Sequence, residues 1–247
     1  MSSFVLVGKP NCGKTLLFNR LTGLAQKVAN FPGVTVEVKT GWHGDRLISD
    51  YPGIYSLNPM TKDETVAVEK LQQTLATNDL TGIMCVVDGT RLERSLVLAG
   101  QIQRLAREAK KAFVLVINML DEVAYNQAQI DVTAIGEAMG ARYVGVSART
   151  GEGIAELNSL LDQMTADPQN FVPGELTPDD QALRQMVRHL ARTHGPEVDL
   201  LLRRQNGLDR IFLSNWFGGL AFFAIMAFVF QSIFTWASPL MDLVEGG

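Results

Sequence analysis

The stretch Gly8-Lys9-Pro10-Asn11-Cys12-Gly13-Lys14-Thr15 constrains the fold more than any other part of the chain. It fits G-x-x-x-x-G-K-[ST], follows the apolar run Phe4–Val7 and leads into a helical pattern over Lys14–Leu21. A strand that feeds a glycine-rich loop into a helix N-terminus gathers backbone N–H groups and the positive end of the helix dipole around one spot, which suits phosphate. The candidate contacts are Gly8, Asn11, Cys12, Gly13, Lys14, Thr15 and Leu16. Lys14 is expected to reach the β- and γ-phosphates, and the Thr15 hydroxyl to bind Mg²⁺. The loop alone leaves ATP and GTP open.

The rest of the chain supplies the context the loop needs. Val34–Lys39 and Arg46–Ser49 read as a strand pair around the turn residues Gly44 and Asp45. Ile83–Val87, Phe113–Ile117 and Tyr143–Val146 are further apolar runs of strand length. Between them lie helical faces, Leu98, Ile102 and Leu105 on one, Ile154, Leu157, Leu161 and Met164 on another. Strands alternating with helices predict an α/β fold with a mostly parallel sheet, a P-loop domain over residues 1–167.

Three later elements choose between the nucleotides. Asp50-Tyr51-Pro52-Gly53 follows Arg46–Ser49, so Asp50 can hold Mg²⁺ and the Gly53 N–H can face the γ-phosphate. Asn118-Met119-Leu120-Asp121 follows Phe113–Ile117 and matches N-K-x-D, with Met119 in the Lys place. The Asp121 carboxylate can accept from guanine N1–H and from its N2 amino group, a pattern adenine cannot present. Ser147-Ala148-Arg149 resembles the S-A-K element, whose backbone N–H faces guanine O6. These elements, in order and each after a strand, predict a GTPase that takes GTP and GDP. Within Gly33-Val34-Thr35, Gly33 is a nucleotide contact and Thr35 the natural switch threonine that completes Mg²⁺ coordination. The residue after Asp50–Gly53 is Ile54, where Ras-like enzymes place a Gln that orients the attacking water. Asn11 is the alternative source of help, because an Asn at this place ligates K⁺ in potassium-activated GTPases. The catalytic set is then Asn11, Lys14, Thr35 and Gly53.

After residue 167 the character changes. Asn170–Pro178 reads as a linker, Thr177-Pro178-Asp179-Asp180 as a helix start capped by Thr177, and Leu183, Met186, Val187 and Leu190 as an apolar stripe. Gly195-Pro196 stops that helix, and Glu197–Gln205 predicts another. Residues 168–210 thus form a small helical linker subdomain. Composition matters here because it is uneven. All 22 Lys and Arg lie at or before Arg210, and Ile211–Met241 carries no charge and seven of the 12 Phe. A bilayer-spanning helix needs about 20 apolar residues, so residues 211–241 are expected to span a membrane, leaving 242–247 as a tail. Trp216 and Trp236 sit near its ends, and Arg203, Arg204 and Arg210 before it put the body on the cytoplasmic side. With a net charge of −4, the chain is unsuited to binding nucleic acid by bulk charge. Cys12 and Cys85 lack metal-ligand spacing, as do His43, His189 and His194, and the Asp63-Glu64 pair reads as a solvated surface.

Together these motifs resemble the N-terminal part of FeoB-type ferrous iron transporters. The resemblance rests on Gly8–Thr15 with Leu17-Phe18-Asn19, on Asn30-Phe31-Pro32-Gly33-Val34-Thr35-Val36-Glu37, on Asp50–Leu57 and Asn118–Glu122, and on Asp209 through Asp242. Lys9, Leu16, Ala29, Phe31 and Ile54 depart from the usual pattern. The resemblance implies a GTPase domain, a GDI-like helical subdomain and the first membrane helix of a bacterial inner-membrane Fe²⁺ transporter. Its partners would be guanine nucleotide, the membrane, and the permease portion of the same transporter. Homo-oligomerisation stays open. A membrane-tethered regulatory GTPase unconnected with transport is the competing reading.

Overall fold

The computed structural model describes residues 2–23, 26–30, 37–57, 59, 61–177, 179–197 and 217–232. The described residues fall in two units, Met1–Glu197 and Val198–Gly247.

The first unit is built on a seven-stranded sheet. Its strands are β1 (Ser2–Gly8), β2 (Gln26–Asn30), β3 (Glu37–His43), β4 (Arg46–Asp50), β5 (Gly82–Asp88), β6 (Ala112–Asn118) and β7 (Arg142–Gly145), in the order β2-β3-β4-β1-β5-β6-β7. β1 pairs in parallel with β4 and β5, β5 with β6, and β6 with β7, whereas β3 runs antiparallel to both β2 and β4. The mostly parallel α/β sheet expected from the sequence is therefore the observed one. The hairpin turns at Gly44 and Asp45, where Gly44 has φ 62°.

Parallel strands are covered on both faces, so their alternate residues feed two separate cores. β1 makes the division plain. Val5 and Val7 join the cluster beneath α2 (Lys62–Leu75), α3 (Leu92–Glu108), α5 (Val132–Met139) and α7 (Asp180–Thr193). Phe4 and Leu6 join the opposite cluster, under α1 (Lys14–Thr22) and α6 (Ile154–Ala166). The short α4 (Leu120–Tyr125) follows β6. Each such buried side chain contributes about 1.5–3 kcal/mol of hydrophobic stabilisation. The result is a rigid sheet whose C-terminal strand ends, at Gly8, Asp50, Asp88 and Asn118, lie side by side.

Two local readings need correction, and one strand carries no pattern in the sequence. β2 escapes a hydrophobic-pattern reading because Gln-Lys-Val-Ala-Asn does not alternate, yet it pairs fully with β3 at the sheet edge. The segment read as a linker packs on the body. Pro168–Phe171 forms a 3-10 turn that buries Phe171, and Leu176 is buried in turn. Apolar side chains there gain more from covering the core than from leaving it. The cap of α7 is Asp179, whose carboxylate accepts from the Ala182 N–H at 2.9 Å, and not Thr177. Helix α7 lies on α3, where a Cβ at Gly100 would sit 2.7 Å from Leu183 Cδ1. Asp180 is held there by Arg104 and by Gln101, whose Nε2 donates to it at 3.0 Å. The Asp63-Glu64 pair sits in the first turn of α2, where Thr61 caps by accepting from the Glu64 N–H.

In the second unit one helix is described, α8 (Phe217–Gln231), apolar and exposed at Leu220, Phe222, Phe223, Ile225 and Phe228. Among the described residues no helix is long and apolar enough to cross a membrane. The remainder of the predicted 211–241 span, with Trp216 and Trp236, lies outside the described residues, as does the predicted helix beyond Glu197.

Candidate nucleotide site

The phosphate loop emerges from the buried end of β1 and turns through two left-handed residues, Asn11 at φ 65° and Gly13 at φ 80°. Asn tolerates that conformation and glycine adopts it without strain. At Gly13 space demands glycine as well, because a Cβ would lie 2.3 Å from Asn118 Nδ2. Asn11 is exposed at the loop tip, and Cys12 beside it is buried. Lys9 is partly buried, which together with nearby Arg94 and Arg184 lowers its ammonium pKa.

Behind the loop, Lys14 and Thr15 converge on one carboxylate. Lys14 Nζ pairs with Asp50 Oδ1, and Thr15 Oγ1 donates to Asp50 Oδ2 at 2.9 Å. Lys14 and Asp50 are both buried. The register Leu6↔Asp50 between β1 and β4 brings them together. A hydroxyl and a carboxylate side by side are the oxygen donors a hard divalent cation takes, so the residues present fit Mg²⁺. Past Asp50 the chain is drawn against the loop. The Ile54 N–H donates to Gly8 O at 3.1 Å, and a Cβ at Gly53 would meet Pro10 N at 2.8 Å. Ile54 itself is buried in the core, so nothing at that position can reach a water beside the phosphates.

The base end is tied to the phosphate end by Asn118. Its Nδ2 donates to Cys12 O at 2.9 Å, and its Oδ1 accepts from the Ala148 N–H at 2.9 Å. Within the Ser147-Ala148-Arg149 element expected to face guanine O6, the Ala148 N–H is thus engaged by Asn118. Met119 is left-handed at φ 67°, and its Cε lies 3.6 Å from the Cβ position of Gly13, so its apolar stem reaches the phosphate loop. Ser147 is buried and accepts from the Thr150 N–H at 3.0 Å. Partial burial pulls the Asp121 carboxyl pKa up, but the Ser147 hydroxyl and the Arg149 guanidinium outweigh it and hold the group below the usual carboxylate range.

The structure therefore brings together Gly8, Asn11, Cys12, Gly13, Lys14, Thr15, Asp50 and Gly53 at one end, and Asn118, Met119, Asp121, Ser147 and Ala148 at the other. Leu16 points out of the first turn of α1, 48% exposed. Gly33 and Thr35 lie outside the described residues. Sequence reasoning passed over Arg20. From α1 its Nε donates to Ala148 O and its guanidinium to Arg149 O, each at 2.6 Å. No local pattern marks it, because its partners lie 128 and 129 residues away.

Fold and site define an α/β P-loop domain of the GTPase type. The family described as ferrous iron transport protein B matches residues 2–161. An Fe(2+) transporter FeoB of Campylobacter jejuni is 30% identical across 98% of this chain and 40% of its own length. That of Salmonella typhimurium is 34% identical across 83% of this chain and 26% of its own length. Two solved structures are similar. The cytosolic domain of L. pneumophila FeoB has TM-score 0.59 and 30% identity over 82% of this chain and 93% of that one. A GDP-bound S. thermophilus NFeoB mutant has TM-score 0.60 and 33% identity over 72% and 65%. The chain belongs to the ferrous iron transport protein B family, and carries its G domain. It spans less than half the length of the curated relatives it matches.

Proposed function

We propose that this chain binds and hydrolyses GTP as the cytoplasmic G domain of a bacterial Fe²⁺ transporter and couples that cycle to iron uptake. One observation carries the nucleotide reading. Asn118 bridges the phosphate loop at Cys12 to the base loop at Ala148, so one amide fixes the spacing between a phosphate cradle and the Asp121 carboxylate.

The chemistry follows from the residues. Backbone N–H groups from Gly8 to Thr15 wrap the phosphates, and Lys14 leaves Asp50 to neutralise them. Thr15, Asp50 and Thr35 would hold Mg²⁺, which when bound would supply positive charge beside the phosphates. Asp121 accepts from the guanine edge, and Gly53 offers its N–H to the γ-phosphate. With Ile54 buried, the side chain after Gly53 does not orient water. Asn11, exposed at the loop tip, would hold K⁺, and that cation would supply the transition-state charge stabilisation an arginine finger gives elsewhere.

Residues 1–167 are the G domain, 168–210 a helical adaptor and 211–241 the first membrane helix, with the G domain at the cytoplasmic face of the inner membrane and the permease portion as its partner. The apolar surface of α8 supports that reading, since a helix apolar on every side is stable only inside protein or lipid. The family favours transport over a free-standing regulatory role. The test is phosphate release from GTP and ATP in K⁺ and in Na⁺ buffers, with Asn11→Ala alongside. GTP-selective, K⁺-stimulated turnover that Asn11→Ala reduces to the Na⁺ rate is expected. Equal rates in the two buffers would sink the potassium assignment, and equal use of ATP the guanine assignment.

A further inference from the structure

Asp121 is the acceptor through which base recognition would run, and Arg149 already sits on it. Arg149 Nε and Nη2 each lie 2.5 Å from Asp121 Oδ2, and Nη2 is 3.7 Å from Glu122 Oε2. The Asp121 side chain is 13% exposed and that of Arg149 62%, so the arginine reaches in from solvent to a largely covered carboxylate.

The backbone beneath Arg149 is fixed. Arg20 holds the carbonyls of Ala148 and Arg149 from α1, and Asn118 holds the Ala148 N–H from β6. The Thr150 N–H is bonded in turn to Ser147 Oγ. A loop held at four consecutive residues presents the Arg149 side chain from a defined base.

The chemistry of the contact is informative. A guanidinium offers a carboxylate planar, neighbouring N–H donors, and so does the N1–H and N2 amino edge of guanine. Two such donor sets cannot both take Asp121 Oδ2 at full strength. We propose that Arg149 is a resident competing ligand of the Asp121 carboxylate, an internal counterpart of the guanine edge that an incoming nucleotide must displace. It rests on the guanine-nucleotide reading above. Arg149 thereby keeps the carboxylate charged and aimed, and sets both the affinity for guanine nucleotides and the rate at which they enter. Adenine nucleotides, which present no such donor pair, gain nothing from Asp121 and are indifferent to Arg149.

The experiment measures binding of GDP and ADP to the 247-residue chain, unmodified and as Arg149→Ala and Arg149→Lys. Preference of the unmodified chain for GDP over ADP tests the guanine reading by itself. With that preference in place, Arg149→Ala is expected to bind GDP about two- to fivefold tighter, the range an exposed ion pair supports, with faster association. ADP binding stays unchanged, and the gain shrinks as salt screens the pair in the unmodified chain. Arg149→Lys, which lacks the fork, falls between and keeps the test alive if the alanine variant fails to fold. GDP binding that is unchanged or weaker in Arg149→Ala, or ADP binding that tightens equally, overturns the proposal and leaves the guanine reading standing.

Discussion

The side-chain amide of Asn118 donates to the carbonyl of Cys12 at 2.9 Å, across 106 residues of sequence. Its other atom accepts from Ala148, so a single buried side chain closes the circuit between the loops after β1, β6 and β7. Asn118→Ala leaves a buried carbonyl and a buried N–H without partners. Two such groups cost about 2–6 kcal/mol. Urea unfolding should register that loss, and GDP affinity should fall with it, because both loops lose their common reference. A variant with unaltered stability would show that the amide is not the tie.

Gly53 is placed differently, by exclusion. A methyl group there would lie 2.6 Å from Pro10 Cγ and 2.8 Å from Pro10 N, and a ring fused to the backbone cannot turn aside. Gly53→Ala is expected to push the segment after β4 off the phosphate loop and to break the Ile54 N–H bond to Gly8 O. Overpacking of this kind costs about 1–3 kcal/mol. Hydrolysis should drop far more than GDP affinity, since the phosphate cradle and the base site keep their residues. Parallel losses of binding and turnover would contradict this.

Much of this arrangement is legible in the sequence because it depends on short-range pattern. Gly8–Thr15 announces a loop between strand and helix, and Asp50, Asn118 and Ser147 each follow a recognisable strand. What is not legible is long-range or marginal. Nothing near Arg20 in sequence indicates that its guanidinium will hold two carbonyls of the base loop. The strand Gln26–Asn30 exists because β3 offers it an edge, not because its own residues alternate. Phe171 sits in a proline-rich segment that composition assigns to a linker, yet it is buried as a member of the core cluster under α1 and α6. Asp179 takes the cap instead of Thr177 because the helix starts at Asp180, whose carboxylate Arg104 and Gln101 hold on α3.

That packing gives a stability prediction. Leu183 is fully buried against α3, and truncating it leaves a cavity between α3 and α7. Leu183→Ala should cost about 2–5 kcal/mol. Because α7 shares the core beneath α2, α3 and α5, the loss should appear as one shifted unfolding transition of the unit Met1–Glu197. A separate early transition for α7 would mean that it covers no common core.

The two thiols make a third kind of test. Burial pushes the Cys12 thiol up to about 11 despite Lys14 nearby, and burial with Cys12 alongside pushes Cys85 up too. At pH 8 the Cys12 thiolate is then about one part in a thousand, and the thiolate is the nucleophile. Neither cysteine should react with a disulfide reagent in the folded chain, and both should react in denaturant. Rapid stoichiometric labelling of the native protein would exclude this burial.

The acid limb of nucleotide binding should report Asp121. Its folded pKa is depressed below the ordinary 3.8, burial working against the shift and Ser147 and Arg149 producing it. A depressed carboxyl stabilises the charged form at every pH above its unfolded value, and loses that contribution only as pH falls through the lower folded value. GDP affinity should therefore draw no penalty from Asp121 between pH 7 and pH 5, and decline on its account only below about pH 4. Arg149→Ala removes one of the groups that hold the pKa down, so the carboxyl resonance of Asp121 should titrate at higher pH than in the unmodified chain. Carbon-detected NMR of the side-chain carboxyl reads the midpoint directly. A midpoint that stays in place would mean that Ser147 alone sets the shift, and that the guanidinium contributes geometry without charge.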